Sequence, residues 1–323
     1  MFCYQCEQTV NGTGCEKIGV CGKRPETAGL QDLLIHATKG IAQYAYRARK
    51  WGATNKTVDE FVLDTLFTTV TNVNFDNEAH LAVLKRADEV KIMAQTMYET
   101  AAQKAKAFVE KLPGPAAWKY IANATDTIRQ AELVGVLSRK TKKNADITGT
   151  EDLILYGLKG AAAYAHHALM LGVTDNTIYA GFHETLNFLT EDHELEELLG
   201  EALRVGDLNY RVMEMLDRAN TTAYGHPTPT KVRITPVKGK AILVTGHDLK
   251  DLEELLKQTA GKGINIYTHG EMLPAHGYPA LKKYPHLVGN WGTAWQNQQA
   301  EFPLFPGAIL FTTNCIQRPQ EIY

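Results

Sequence analysis

Residues Asp32–Thr54 read DLLIHATKGIAQYAYRARKWGAT, and residues Asp152–Thr174 read DLILYGLKGAAAYAHHALMLGVT. The two stretches align without a gap at an offset of 120 residues. Asp32/Asp152, Lys39/Lys159, Gly40/Gly160, Tyr44/Tyr164, Ala45/Ala165 and Gly52/Gly172 are identical pairs. In the first copy Leu33, Leu34, Ala37, Ile41, Tyr44 and Ala48 follow the three- and four-residue spacing of an amphipathic helix. Two helical bundles of similar plan are expected. Gly40, Ala42, Ala45 and their counterparts would let helices approach closely. Chance likeness between alanine-rich helices is the bland alternative, and a gapless match over 23 positions weighs against it.

Working outward, Thr57–Glu60 (TVDE) reads as a capping box ahead of Phe61, Val62, Thr65 and Leu66. Leu112–Pro115 (LPGP) breaks the helical pattern, which otherwise runs from about Leu30 to Asn220. Residues 221–239 hold Gly225, Pro227, Pro229, Pro236 and Gly239 and read as a linker. Beyond them Ala241–Thr245 (AILVT), Gly263–Tyr267 (GINIY) and Ala308–Thr312 (AILFT) are short apolar strands, and Leu249–Thr259 is an amphipathic helix. Strand–helix–strand order implies a parallel sheet with right-handed crossovers. The expected fold is an all-helical amino-terminal region of two related bundles followed by a partial Rossmann-like parallel α/β domain. Its divisions are a cysteine-rich loop at 1–28, a helical domain at 29–225 and the α/β part at 226–323.

A chain of 323 residues has room for two cores. Hydrophobic content of 44% and charged content of 22% are those of an ordinary globular protein. Net charge is −2 with no basic run, so no nucleic-acid partner is expected. No apolar run nears the roughly 18 residues of a membrane span. The amino terminus lacks the basic and apolar segments of a signal peptide. A cytoplasmic location follows as the expectation, where thiols serve as metal ligands or catalysts more often than as disulfides. The odd count of five cysteines points the same way. No Walker A loop or GxGxxG fingerprint indicates a nucleotide.

Four of those cysteines, Cys3, Cys6, Cys15 and Cys21, lie in a C-x2-C-x8-C-x5-C run. Thiols packed so densely can converge on one centre. Iron–sulfur and zinc both use four thiolates. Zinc ribbons pair two CxxC units, whereas here only the first pair is CxxC, which favours iron–sulfur; disulfides rank last. A second constellation is positional. His247, Glu271 and Cys315 each follow a strand, and open parallel sheets bind ligands at the carboxyl ends of their strands. A nitrogen, a carboxylate and a thiolate suit iron with open positions. Each also has a plain structural reading: His247 as a turn residue, Glu271 as a helix opener, Cys315 as a small buried apolar group. His269 and His276 flank Glu271 as groups that could orient ligands or supply protons. His166, His167 and His183 read as packing or solvent-facing residues.

The opening MFCYQCEQT (residues 1–9) resembles that of hybrid-cluster, or prismane, proteins, also called hydroxylamine reductases. So do Thr245–Leu249 (TGHDL), Tyr267–Pro274 (YTHGEMLP) and Phe311–Ile316 (FTTNCI). The resemblance runs the length of the chain. It implies that Cys3, Cys6, Cys15 and Cys21 hold a cubane [4Fe-4S] cluster. It also implies that His247, Glu271 and Cys315 match the first three ligands of a hybrid [4Fe-2O-2S] cluster. The implied reaction is reduction of hydroxylamine to ammonia and water, with nitric oxide reduction to nitrous oxide as a second activity. Electrons would come from an external donor protein. The family's remaining hybrid-cluster ligands lie beyond the point matching Tyr323, eight residues after Cys315. The chain is therefore expected to be a fragment, a truncated product or one half of a split protein, partnered by the carboxyl-terminal half. A module that carries the cubane alone for electron transfer is the competing reading.

Overall fold

Proline at the first helical position fixes φ where no N–H is needed and starts α1 (Pro25–Arg49). The computed structural model describes residues 1–71 and 73–323. After α1 come α2 (Lys56–Thr68), α3 (Asn77–Lys104), α4 (Ala124–Val134) and α5 (Val136–Lys140). Then follow α6 (Ala145–Met170), α7 (Asn176–Phe188) and α8 (Leu195–Tyr224). The repeat is larger than the matched stretches. Pro25 to Ala145 and Lys56 to Asn176 are both steps of 120 residues, and α2 and α7 are each 13 residues long.

The turns between these helix pairs repeat as well. Gly52 (φ 71°) and Gly172 (φ 79°) take the left-handed conformation, where a side chain is strained. Asn55 and Asp175 then cap α2 and α7 with their side-chain oxygens. The capping box expected at Thr57 is thus corrected. Thr57 lies inside α2, and its N–H is one of two that Asn55 accepts.

Leu33, Leu34, Ala37, Ile41, Tyr44 and Ala48 of α1 are all buried. Leu84, Ala87, Val90, Ala94 and Tyr98 form the matching stripe on α3. Gly40 is needed for close approach, but to a turn rather than to a helix: a Cβ there would lie 2.2 Å from the Pro115 carbonyl oxygen. Its counterpart Gly160 has open space beside it.

The chain divides into two compact units. The first holds most of the helices. The second includes His167–Val173, which begins in the last turn of α6, and Glu214–Tyr323. Its sheet has four parallel strands in the order β3-β2-β1-β4. The strands are β1 (Lys240–Thr245), β2 (Ile264–His269), β3 (Leu287–Asn290) and β4 (Ala308–Phe311). Both faces are covered, as parallel sheets require. Val244 and Ile266 pack with Leu252 and Leu256 of α9 (Leu249–Thr259), while Leu243 and Tyr267 pack with Phe302 and Phe305.

The stretch read as a linker is not free. Residues 221–224 finish α8. Further on, the Arg233 carbonyl accepts from Asn290 N–H (2.9 Å), and Val237 N–H donates to the Tyr267 hydroxyl (2.6 Å). No helix among the described residues is long and apolar enough to cross a membrane.

One helical side chain gives the first unit a pH dependence. Burial, then the charges of Lys39 and Lys91, holds His36 on α1 down at about 4, from an ordinary 6.5. Folded His36 is neutral where the unfolded chain binds a proton. Its contribution is therefore whole above 6.5 and is lost as pH falls toward 4. The loss reaches at most about 3 kcal/mol. In urea titrations between those pH values, His36→Phe is expected to flatten the slope of stability against pH. An unchanged slope would assign the acid sensitivity elsewhere.

Candidate metal centre

The cysteine loop is closed by its own backbone. Cys3 and Cys15 exchange hydrogen bonds as an antiparallel bridge, N to O 3.1 Å and 2.8 Å. Thr9 sits between them, its hydroxyl donating to the Cys3 carbonyl (3.0 Å) and lying 3.6 Å from Cys15 Sγ. Gly14 is required here: it has φ 149°, and a Cβ would meet the Phe2 ring at 2.5 Å. Gly22 (φ 89°) donates to the Gly19 carbonyl at 2.8 Å and turns the chain back past Cys21. None of the five cysteines forms a disulfide.

Electrostatics tie the sulfurs together. Burial raises the Cys6 thiol above its ordinary value, and Cys21 and Cys3 add to the rise. Burial raises Cys21 too, with Cys3 contributing. Burial opposes ionisation at Cys15 as well. The backbones of Val10 and Val20, the Thr9 hydroxyl and the Lys23 charge together outweigh it and hold that thiol below the usual range. Cys6 and Cys21 are each held from ionising in part by neighbouring sulfur, so a cation among them would favour their thiolate forms. This donor set fits an iron–sulfur cluster. Among the described residues no three His, Cys, Asp or Glu side chains stand close enough to share a single ion. A four-iron cage is bulkier than one ion, so its thiolates stand further apart.

Beneath the loop lies an ionic floor that sequence inspection missed. The Tyr4 hydroxyl donates to Asp152, which also pairs with Arg139 at 2.5 Å. Asp152 is 1% exposed. Lys159, the repeat partner of Lys39, donates to Gln5 Oε1 (3.5 Å) and to the Thr69 carbonyl (3.1 Å). Lys140 lies 3.9 Å from the Phe2 ring centre and 4.7 Å from that of Tyr4, a double cation–π contact. Burial raises Asp32 to about 6 against the pull of Lys159, Arg139 and Lys23. Burial, then the neighbouring Lys23, lowers Lys159 to about 7. So Phe2, Tyr4 and Gln5, the residues between and before the first cysteines, moor the loop to α5 and α6. The one sequence signal for this floor was the Asp32/Asp152 and Lys39/Lys159 pairing in the repeat.

The second constellation sits at the carboxyl edge of the sheet. Thr245 is in register with His269 on one side and Phe311 on the other. His247 lies two residues past Thr245, Glu271 two past His269 and Cys315 four past Phe311. Main-chain contacts lock the loops: His247 N–H donates to Thr313 Oγ1 (2.9 Å) and Gln298 Nε2 donates to the Cys315 carbonyl (2.9 Å). Cys315 has φ 59°, a left-handed conformation uncommon for a residue with a side chain.

Three polar atoms of this edge, His247 Nδ1, Glu271 Oε2 and Asn314 Oδ1, are buried without a hydrogen-bond partner among the described residues. Burial, then the nearby His167, lowers His247 to about 4, so the imidazole is neutral and able to ligate. Orphaned donor atoms on a histidine and a carboxylate fit a missing metal. The three side chains are nonetheless not gathered within reach of one ion.

The flanking histidines are spoken for. His269 bonds Glu301 (3.0 Å) and Thr245 Oγ1 (3.3 Å), and His276 bonds Thr268 Oγ1 (3.0 Å). Burial lowers both. His167 approaches the α9 cap Asp248 at 3.4 Å, and His183 bonds Asp59 at 2.7 Å.

Gly246 brings the first and third loops together. Its φ is 119°, and a Cβ would lie 2.1 Å from Thr312 Oγ1 and 2.7 Å from Thr313 N. Gly246→Ala is expected to push away the 312–315 loop and to destabilise the α/β unit by at least about 1–3 kcal/mol. A urea midpoint equal to that of the parent would show that the loop yields freely.

The sequence profile of the Prismane/CO dehydrogenase family matches residues 1–323. A protein of Rhodospirillum rubrum named hydroxylamine reductase is 52% identical over 100% of this chain and 59% of its own length. The hydroxylamine reductase of Syntrophobacter fumaroxidans matches at the same identity and coverage. The chain thus spans 59% of the length of these relatives. Among solved structures, a carbon monoxide dehydrogenase from Thermococcus sp. AM4 aligns over 98% of this chain and 46% of that one, at 16% identity and a TM-score of 0.33, too loose a likeness to support an argument.

Proposed function

The chain belongs to the prismane/CO dehydrogenase family, and from that premise we propose that it acts in an iron–sulfur oxidoreductase of the hydroxylamine reductase type. The reaction is two-electron reduction, NH2OH + 2e⁻ + 2H⁺ → NH3 + H2O. Cys3, Cys6, Cys15 and Cys21 would hold a [4Fe-4S] cluster, and His247, Glu271 and Cys315 would contribute to a hybrid [4Fe-2O-2S] cluster. When bound, such groups supply one-electron steps and an iron Lewis acid for the N–O oxygen. Four cysteines free of disulfides on one short loop, three of them electrostatically coupled and backed by Lys23, carry the reading.

The roles of the chain's own residues follow from their contacts. Tyr4, Gln5 and Asp152 fix the loop on the helices. Neutral His247 and the orphaned Glu271 oxygen offer lone pairs toward metal. Gln298 and Thr313 set the loop that presents Cys315. His269 and His276, each hydrogen-bonded between strands, brace the edge. Cys315 is the one cysteine beyond Cys21 among these 323 residues, so any further thiolates of the hybrid cluster would be supplied from outside them. Electrons come from an external donor protein, and the location is the cytoplasm.

The competing reading is an electron-transfer module with the cubane alone. Anaerobic assay with a reduced artificial donor separates the two. Ammonia release from hydroxylamine that appears only when the carboxyl-terminal polypeptide is added supports the first. An iron-loaded chain that stays inactive with that polypeptide present supports the module.

A further inference from the structure

Lys23 is 1% exposed, and among the described residues the hydrogen-bond partner of its ammonium is Cys3 Sγ at 3.9 Å. A buried ammonium without a counter-charge is strongly destabilising, and a neutral thiol is no counter-charge. Lys159 is 3% exposed and reaches neutral oxygens only, those of Gln5 and Thr69. The neighbouring cation Arg139 is already matched by Asp152, and Lys143 by Glu151 at 2.6 Å. One further buried carboxyl, Asp32, faces both lysines. The floor under the cysteines therefore holds more buried positive charge than negative. A [4Fe-4S] core with four thiolates carries net negative charge, and one unit more when reduced.

We propose that Lys23 and Lys159 are the built-in counter-charges of the cluster held by Cys3, Cys6, Cys15 and Cys21, and that they raise its reduction potential. This rests on the reading of those cysteines as cluster ligands. The added electron enters a low-dielectric site facing Lys23 and Lys159, and its negative charge favours the ammonium form of both, so the reduced form is favoured. Lys23 touches a ligand sulfur directly and has the larger effect. Lys159 acts one layer away through Gln5, the residue next to Cys6.

The test is a redox titration of the anaerobically reconstituted chain, followed by the electron spin resonance of the reduced cluster. At the parent's midpoint potential, Lys23→Met is expected to cut the ratio of reduced to oxidised cluster at least about tenfold, which is 59 mV downward for one electron. Lys23→Arg keeps the charge and restores the parent ratio. Lys159→Met shifts the ratio the same way by less. A lysine that only packs would lower iron content without moving the potential of the clusters that form. Iron-loaded Met variants with unmoved or raised potentials overturn the inference alone. If Lys23→Met takes up no iron, Lys159→Met decides by the same criterion. A parent chain that takes up no iron overturns the cluster assignment, and this inference with it.

Discussion

Cys3→Ser is expected to drop the iron content from about four per chain to below one and to bleach the brown visible absorption. Serine offers a poorly ionised hydroxyl where iron requires a soft thiolate. The backbone is untouched, because Cys3 holds Cys15 through its N–H and carbonyl rather than through its sulfur. The buried stripes on α1 and α3 contain no cysteine, so helical circular dichroism should match the parent. Iron loss with retained helicity assigns the loss to the missing ligand. Parent-level iron would remove Cys3 from the ligand set.

Asp152→Ala is the substitution with the largest expected effect on stability. Its carboxylate is buried, accepts from the Tyr4 hydroxyl and neutralises Arg139. Removing one partner of a buried pair leaves the other charge uncompensated, at about 3–5 kcal/mol. Arg139 keeps a weaker tie to Glu151 at 3.5 Å, which places the outcome toward the lower end. The cysteine loop should loosen as well, since Tyr4 loses its anchor on α6. Urea unfolding followed by circular dichroism reads the first effect, and proteolysis at the amino terminus reads the second. A loss under about 1 kcal/mol would mean that water screens the pair.

Short-range pattern carried the parts of the fold that periodicity can encode. The repeat at 120 residues announced the likeness of α1 to α6 and, once helix ends are set, of α2 to α7. Apolar runs of five residues marked β1, β2 and β4. β3 was missed because Leu287–Asn290 is four residues with Gly289 among them, too short for any period to show. That glycine is there for tertiary reasons: a Cβ would meet the Arg233 carbonyl at 2.3 Å. The cap at Asn55 was missed because Thr57 and Glu60 also satisfy a capping pattern, and only the helix start decides between them.

The sites divide in the same way. Four cysteines within 21 residues are visible to inspection, and so are three chemically apt residues just past strands. The Tyr4–Asp152 bond joins residues 148 apart, and no local pattern encodes it. No sequence pattern singles out Lys23, and only its burial and contact show that it faces sulfur. Where the side chains of His247, Glu271 and Cys315 end was equally invisible, because register places loops on an edge without fixing their side chains.

The most direct test is a count of iron, acid-labile sulfide and zinc in the chain purified without oxygen and then reconstituted. About four irons and a like number of sulfides per chain, with no zinc, is the result expected of the four cysteines. One zinc per chain, or neither metal, would contradict it.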